Sequence, residues 1–267
     1  MKETISSTSN PRIKALLKLQ EKSSERRAQG LFVAEGLREI RMALEAGIHI
    51  KQLFICPERL PDAFDVSAMG VDEEKSFLLS PHVFEKLAYR GESGGMIALM
   101  ATPMRELEKF EPPGDAVIVI LEAIEKPGNL GAVLRTADAA GVSAVVVCDP
   151  LTDPYNPNVI RASIGCIFTV PVFVADSEAV HQWLRKRKFS VYAAALQESV
   201  SLFQQSIRGP VAWVMGTEAH GLSPYWRKAA DQIISIPMMG KADSLNVAAS
   251  VAVLVFETFR QRWSAGD

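Results

Sequence analysis

From residue 116 onward the chain repeats one pattern: a short apolar run, a polar turn, a helical stretch, then another apolar run. The runs fall at 116–121, 144–148, 170–174, 190–194, 211–215 and 233–236. They are almost continuously apolar, as strands buried on both faces are, and parallel strands need the helical crossovers that separate them. Helices are expected over 131–140, 176–187, 224–230 and 244–262. This half of the chain therefore reads as an open, parallel α/β sheet, whose ligand sites lie beyond the carboxyl ends of the strands.

The first half mixes both element types. Helices are expected over 11–20 and 37–46, and strands over 31–34, 52–56 and 96–100, giving a small α/β domain of residues 1–104. Residues 105–114 are charged and proline-rich, and read as a linker to a second domain of residues 115–267. Across 267 residues, 48% hydrophobic and 22% charged, the composition is that of an ordered globular protein and not a disordered one. The opening residues hold no apolar core of a secretory signal and no apolar run reaches membrane-spanning length, so a cytoplasmic protein is expected. Cys56, Cys148 and Cys166 are isolated, without metal-ligand spacing, and read as reduced thiols.

The net charge of −2 decides nothing about nucleic acid, but its distribution is uneven. Arg12, Lys14, Lys18, Lys22, Arg26 and Arg27 fall in the first thirty residues against Glu3, Glu21 and Glu25. Such a stretch can neutralise phosphates, although a solvated helix face would look the same. Several common chemistries have no footing. The chain lacks a GxxxxGK[ST] phosphate loop, a GxGxxG turn after the first strand of its second half, and an HExxH pair. His49, His82, His181 and His220 are too scattered for a metal site, and Ser163 is not in a GxSxG elbow. Residues 91–95, Gly-Glu-Ser-Gly-Gly, read as a plain turn before a strand.

Three polar, glycine-bearing segments remain, each placed after an expected strand. They are Lys126-Pro127-Gly128-Asn129-Leu130-Gly131 leading to Arg135, Gly216-Thr217-Glu218-Ala219-His220-Gly221-Leu222, and Ile236-Pro237-Met238 followed by Ser244-Leu245-Asn246-Val247. In this order and spacing they resemble the three motifs of the SpoU (TrmH-type) RNA ribose 2′-O-methyltransferases, of the SPOUT superfamily. Arg161-Ala162-Ser163-Ile164-Gly165 also resembles that family's Ala-Ser-x-Gly segment. The first half resembles, more weakly, the family's substrate-binding domain, through Phe32-Val33-Ala34-Glu35-Gly36 and Leu53-Phe54-Ile55.

The resemblance implies a SPOUT-type parallel-sheet domain with a C-terminal trefoil knot, preceded by a small α/β RNA-binding domain. It implies S-adenosylmethionine as methyl donor, RNA as partner (ribosomal RNA ahead of tRNA), a homodimer, and no metal or membrane. It assigns Arg135 to the ribose hydroxyl, with Asn129, Glu218, Ser244 and Asn246 completing the catalytic set. Gly216, Thr217, Gly221, Ile236, Met238, Leu245 and Asn246 would hold the cofactor, with the glycines letting backbone approach it closely. Thr217 departs from the Asn or Ser often found there. Arg12, Lys14, Lys18 and Arg135 would meet RNA. Taken alone, Asn129 and Ser244 are equally helix caps and Arg135 a surface cation. A guanidinium stays charged at physiological pH, so Arg135 suits alkoxide stabilisation better than proton abstraction. Two other readings stay open: a catalytically silent RNA-binding or ribosome-assembly protein on this fold, and a small-molecule Rossmann enzyme. The missing dinucleotide fingerprint weighs against the second.

Overall fold

The computed structural model describes residues 4–61, 69–89, 94–217 and 220–263. The chain forms two compact units, one of Met1–Met104 with Asp153–Thr169, the other of Arg105–Thr152 with Val170–Asp267.

In the first unit, β2 (Leu31–Glu35), β3 (Ile50–Ile55) and β5 (Met96–Ala101) form an antiparallel core in the order β3-β5-β2. Two short strands that the sequence did not suggest, β1 (Thr4–Ile5) and β4 (Ser76–Leu79), extend it in parallel beyond β3. Helix α1 (Pro11–Glu21) starts where Asn10 accepts from the Arg12 amide and Pro11 needs no donor. Its Ile13, Leu16 and Leu19 face the core at helical spacing. Helix α2 (Ser23–Gln29) turns off at Gly30, whose φ of 62° suits a residue without a Cβ. Arg26, counted above in the basic stretch, is 3% exposed and serves the fold instead. It pairs with Asp153 at 2.5 Å and donates to the carbonyl oxygens of Leu19 and Gln20.

The segment Asp153–Thr169 belongs to this unit by packing, not to the sheet that flanks it in sequence. Two helices unforeseen in the sequence, α6 (Pro157–Ala162) and α7 (Cys166–Thr169), carry it. Phe168 stacks on Phe32 with centroids 5.6 Å apart, and Tyr155 lies 5.2 Å from the same ring. The Ala-Ser-x-Gly resemblance falls on the turn between these helices. Ser163 is fully buried and its hydroxyl donates to the Ile160 carbonyl. Gly165 has a φ of 89°, and a Cβ there would lie 2.6 Å from the sulfur of Met42 in α3 (Leu37–Glu45). Close packing accounts for that glycine.

The second unit is a seven-stranded, wholly parallel sheet in the order β10-β12-β9-β11-β6-β7-β8. The strands are β6 (Val117–Glu122), β7 (Ala144–Cys148), β8 (Val172–Ala175), β9 (Ser190–Ala194), β10 (Val200–Ser201), β11 (Val211–Met215) and β12 (Gln232–Ser235). All but the two-residue β10 match the expected runs to within two residues. Helix α8 (Ser177–Lys186) covers β7, while α5 (Pro127–Ala140) packs against α10 (Val247–Trp263). Trp213 of β11 donates to Thr258 of α10 at 3.0 Å, and Thr258 donates on to the Leu254 carbonyl, so a buried polar pair ties helix to sheet.

Residues 105–114 do not behave as a free linker. Leu107 is buried, and Phe110 packs on Phe173 at 5.1 Å and on Trp183 at 6.2 Å. Arg105 donates to the Val170 carbonyl. Two apolar residues in an otherwise charged segment are enough to dock it, a signal that average composition hides.

Candidate active site

Three adjacent parallel strands, β12, β9 and β11, end at one cavity of about 540 Å³. Its walls are the residues that follow each strand: Ala194–Gln197 after β9, Met215–Gly221 after β11 and Ser235–Met238 after β12, closed by 243–247 at the entry to α10. The next strand, β6, precedes the turn into α5. In chain order the sheet grows outward from β6 to β8, then returns to the other side of β6. Ligand crevices form where strand order reverses in this way.

Gly216, Thr217, Gly221, Ile236, Met238, Ser244, Leu245 and Asn246 all line the cavity. Gly216 and Gly221 do so for a reason other than open approach to a ligand. A Cβ on Gly216 would lie 2.2 Å from the carbonyl carbon of Gly221, so the space is taken by the chain's own backbone. Gly221 has a φ of 67°, the left-handed turn that brings it back. Thr217 and Gly221 exchange both backbone hydrogen bonds at 2.9 Å. The Thr217 hydroxyl accepts from the His220 amide at 2.9 Å, a turn-closing role that Ser or Asn also performs. Glu218 lies outside the described residues.

Asn246, not Ser244, caps α10. Its Oδ1 accepts from the Ala248 amide at 2.9 Å, while Ser244 is exposed and its hydroxyl reaches Asp243 at 3.4 Å. The helix therefore begins at Val247, three residues later than expected. The Asn246 Nδ2 donates to Asn129 Oδ1 at 3.1 Å, across 117 residues of sequence. Asn129 itself lies inside the first turn of α5, because Pro127 starts that helix earlier than the glycines suggest. The first and third motifs thus meet through one amide pair at the cavity mouth.

Arg135 is not in the cavity wall. It is exposed on α5, six residues beyond Asn129 and so about 9 Å further along the axis. Among the described residues its side chain has no hydrogen-bond or ion-pair partner. Sequence reasoning missed other wall residues. Leu196 and Gln197 follow β9, which carries no glycine-bearing turn to flag them, and Arg227 projects from α9 (Pro224–Ala229), a helix that carries none of the three motifs.

In the N-terminal unit, the Arg12 guanidinium sits 4.5 Å above the Phe77 ring, Lys14 is exposed, and Lys18 pairs with Glu25 at 2.6 Å. Burial pushes the Cys148 thiol up to about 12, so it stays protonated and is no nucleophile; Cys56 is raised by burial as well. Among the described residues no group of three or more His, Cys, Asp or Glu side chains could hold a metal ion. Nor is any described helix long and apolar enough to cross a membrane.

The SpoU rRNA Methylase family matches residues 116–256, and an MRM3-like substrate binding domain matches residues 10–98. The 23S rRNA (uridine(2479)-2′-O)-methyltransferase of Streptomyces viridochromogenes is 27% identical over 248 residues, 90% of this chain and 86% of its own length. The 23S rRNA (guanosine-2′-O-)-methyltransferase RlmB of Bordetella pertussis is 39% identical over 150 residues, 56% of this chain and 61% of its own. Among solved structures, an RNA 2′-O ribose methyltransferase superposes with a TM-score of 0.84 at 39% identity, covering 98% of this chain and 100% of that one. An AdoMet-bound rRNA methyltransferase from Sinorhizobium meliloti gives a TM-score of 0.87 at 29% identity, covering 97% of each chain. With its three motifs gathered at the end of a parallel sheet and a family match across most of that unit, this chain belongs to the SpoU rRNA methylase family.

Proposed function

We propose that the chain transfers a methyl group from S-adenosylmethionine to a ribose 2′-hydroxyl of RNA, with ribosomal RNA as substrate. The convergence of all three motifs at one cavity, sealed by the Asn129–Asn246 hydrogen bond, carries this reading. The residues present suit the methyl donor. A cavity of about 540 Å³ lies in the range of small-molecule sites. Backbone turns at Gly216–Thr217 and Ile236 offer amide and carbonyl groups to a nucleoside, and Leu196, Met238 and Leu245 offer apolar surface. When bound, S-adenosylmethionine supplies an electrophilic methyl group on a sulfonium sulfur.

The protein's own task is to place the ribose oxygen and to stabilise charge on it. The amide pair holds the start of α5 against the start of α10, fixing the rim where the ribose would enter. Ser244 and Asn246 present polar groups there, and Glu218 is assigned by its motif position to accept a hydroxyl. Arg135, exposed and unpaired among the described residues, would meet the incoming RNA. Its charge stabilises the developing alkoxide, while the proton leaves to water or to an RNA phosphate. On the first unit, Arg12 and Lys14 are the leading phosphate contacts, with Lys18 joining if RNA displaces Glu25. Reversing all three charges should weaken RNA binding and lower the salt slope by about 0.7–0.9 per lost phosphate contact. An unchanged slope would remove this stretch from the interface.

The trefoil knot of the family belongs to the same proposal, as does a homodimer. Phe256 and Trp263 on α10 are 44% and 68% exposed, and such apolar surface suits a second copy; sedimentation would test it. A substrate of this kind places the enzyme in the cytoplasm. The decisive experiment is transfer of labelled methyl from S-adenosylmethionine to RNA from cells lacking the gene, with rRNA and tRNA separated. Label in rRNA is expected. Label only in tRNA would change the substrate class, and no label in either would favour the silent RNA-binding reading.

A further inference from the structure

The described cavity wall holds one cationic and one anionic side chain, Arg227 and Asp243. Neither lies in a position that the three motifs assign to catalysis or cofactor binding. Arg227 is half-buried, and among the described residues its guanidinium has no hydrogen-bond or ion-pair partner. Asp243 is exposed on the loop before α10, touched only by the Ser244 hydroxyl at 3.4 Å. Although both face one cavity, they are not within ion-pair distance of each other. An arginine and a carboxylate free to meet would normally do so, in the bidentate geometry that a guanidinium favours. Held apart across a cavity, they present a matched pair of charges to whatever occupies it.

We propose that Arg227 and Asp243 grip the amino-acid end of the methyl donor, Arg227 its α-carboxylate and Asp243 its α-ammonium. The inference rests on the cavity being the methyl-donor site. A zwitterion of this kind has one group for each side chain, and the arginine fork suits a carboxylate. The remaining wall, built of backbone turns and Leu196, Ile236 and Leu245, is left for the nucleoside. Arg227 and Asp243 are therefore specificity residues that distinguish donors with an amino-acid end from bare thionucleosides.

The test is calorimetric titration with two ligands that share the nucleoside and the sulfur. S-adenosylhomocysteine keeps the zwitterionic end, whereas 5′-methylthioadenosine lacks it. Arg227→Gln should weaken S-adenosylhomocysteine about tenfold, the order expected for one charge-assisted contact at a partly exposed site, and leave methylthioadenosine unchanged. Asp243→Asn should show the same selectivity at about threefold, and Arg227→Lys should recover most of the loss because it keeps the charge. Equal weakening of both ligands by Arg227→Gln would overturn the proposal in favour of a support for cavity shape. Unchanged affinity for both, with weaker RNA binding, would overturn it in favour of a phosphate contact. If the wild-type protein bound neither ligand, the methyl-donor site itself would be wrong, an outcome distinct from loss of selectivity alone.

Discussion

In the first unit, Arg26 is 3% exposed and donates to Asp153 and to the carbonyls of Leu19 and Gln20. In the second, Arg135 stands exposed on α5 and Arg227 lines the cavity, both without a side-chain partner among the described residues. One side-chain type thus serves two ends. Where its donors are met inside the chain, it holds the fold, and its loss strands a buried carboxylate. Where its donors are left open beside a cavity, the fold gains nothing from it, and a ligand is the natural partner.

The comparison can be broken most sharply at Arg26. Arg26→Ala should destabilise the first unit by about 3–5 kcal/mol, because Asp153, 10% exposed, loses its counter-charge. Denaturant unfolding would measure it, and a loss below 1 kcal/mol would show the pair to be solvated. Arg135→Ala should do the reverse: a fall in turnover of about 100- to 1,000-fold, with stability within about 0.5 kcal/mol of wild type. Near-normal turnover would remove Arg135 from catalysis.

Asn246 bridges the two roles, since one amide caps α10 and tethers Asn129. Asn246→Ala should cost about 1 kcal/mol of stability and also weaken S-adenosylhomocysteine binding. If affinity were unaltered, Asn246 would be a cap and no more. The smallest effect concerns pH. Burial, reinforced by the Arg185 charge, holds His181 below its ordinary value of 6.5. Below pH 6.5 the unfolded chain takes up a proton that the folded chain resists, so stability falls as pH drops; above it the contribution vanishes. Unfolding midpoints at pH 7.5 and 5.5 should differ less in His181→Gln than in wild type. Equal differences would show that His181 titrates freely.

What was legible in the sequence follows the same divide. Strands β6, β7, β9 and β11 carry runs of apolar residues that only a doubly covered parallel sheet accommodates, and they fell where periodicity put them. Loop residues with a fixed order, from Asn129 to Asn246, were found because three motifs constrain one another. Contacts between segments distant in sequence were not legible. Nothing local marks Asp153 as the partner of Arg26, or Phe168 as the neighbour of Phe32, so α6 and α7 were assigned to no element and residues 105–114 were read as a linker. Arg227 escaped for a related reason: a lone arginine on a short helix shows no pattern until the sheet brings its helix beside the cavity. Gly216 was recognised as necessary but for the wrong neighbour, since only coordinates reveal that Gly221 fills the space beside it.

The most direct single measurement is the chemical position of a transferred methyl group. A methyl on the ribose oxygen blocks attack of that oxygen on the adjacent phosphate, so the modified linkage survives alkali while every other linkage is cut. Ribosomal RNA labelled by the wild-type protein and digested in alkali should carry its label in dinucleotides. Label released wholly as mononucleotides would place the methyl on a base and contradict ribose 2′-O-methylation.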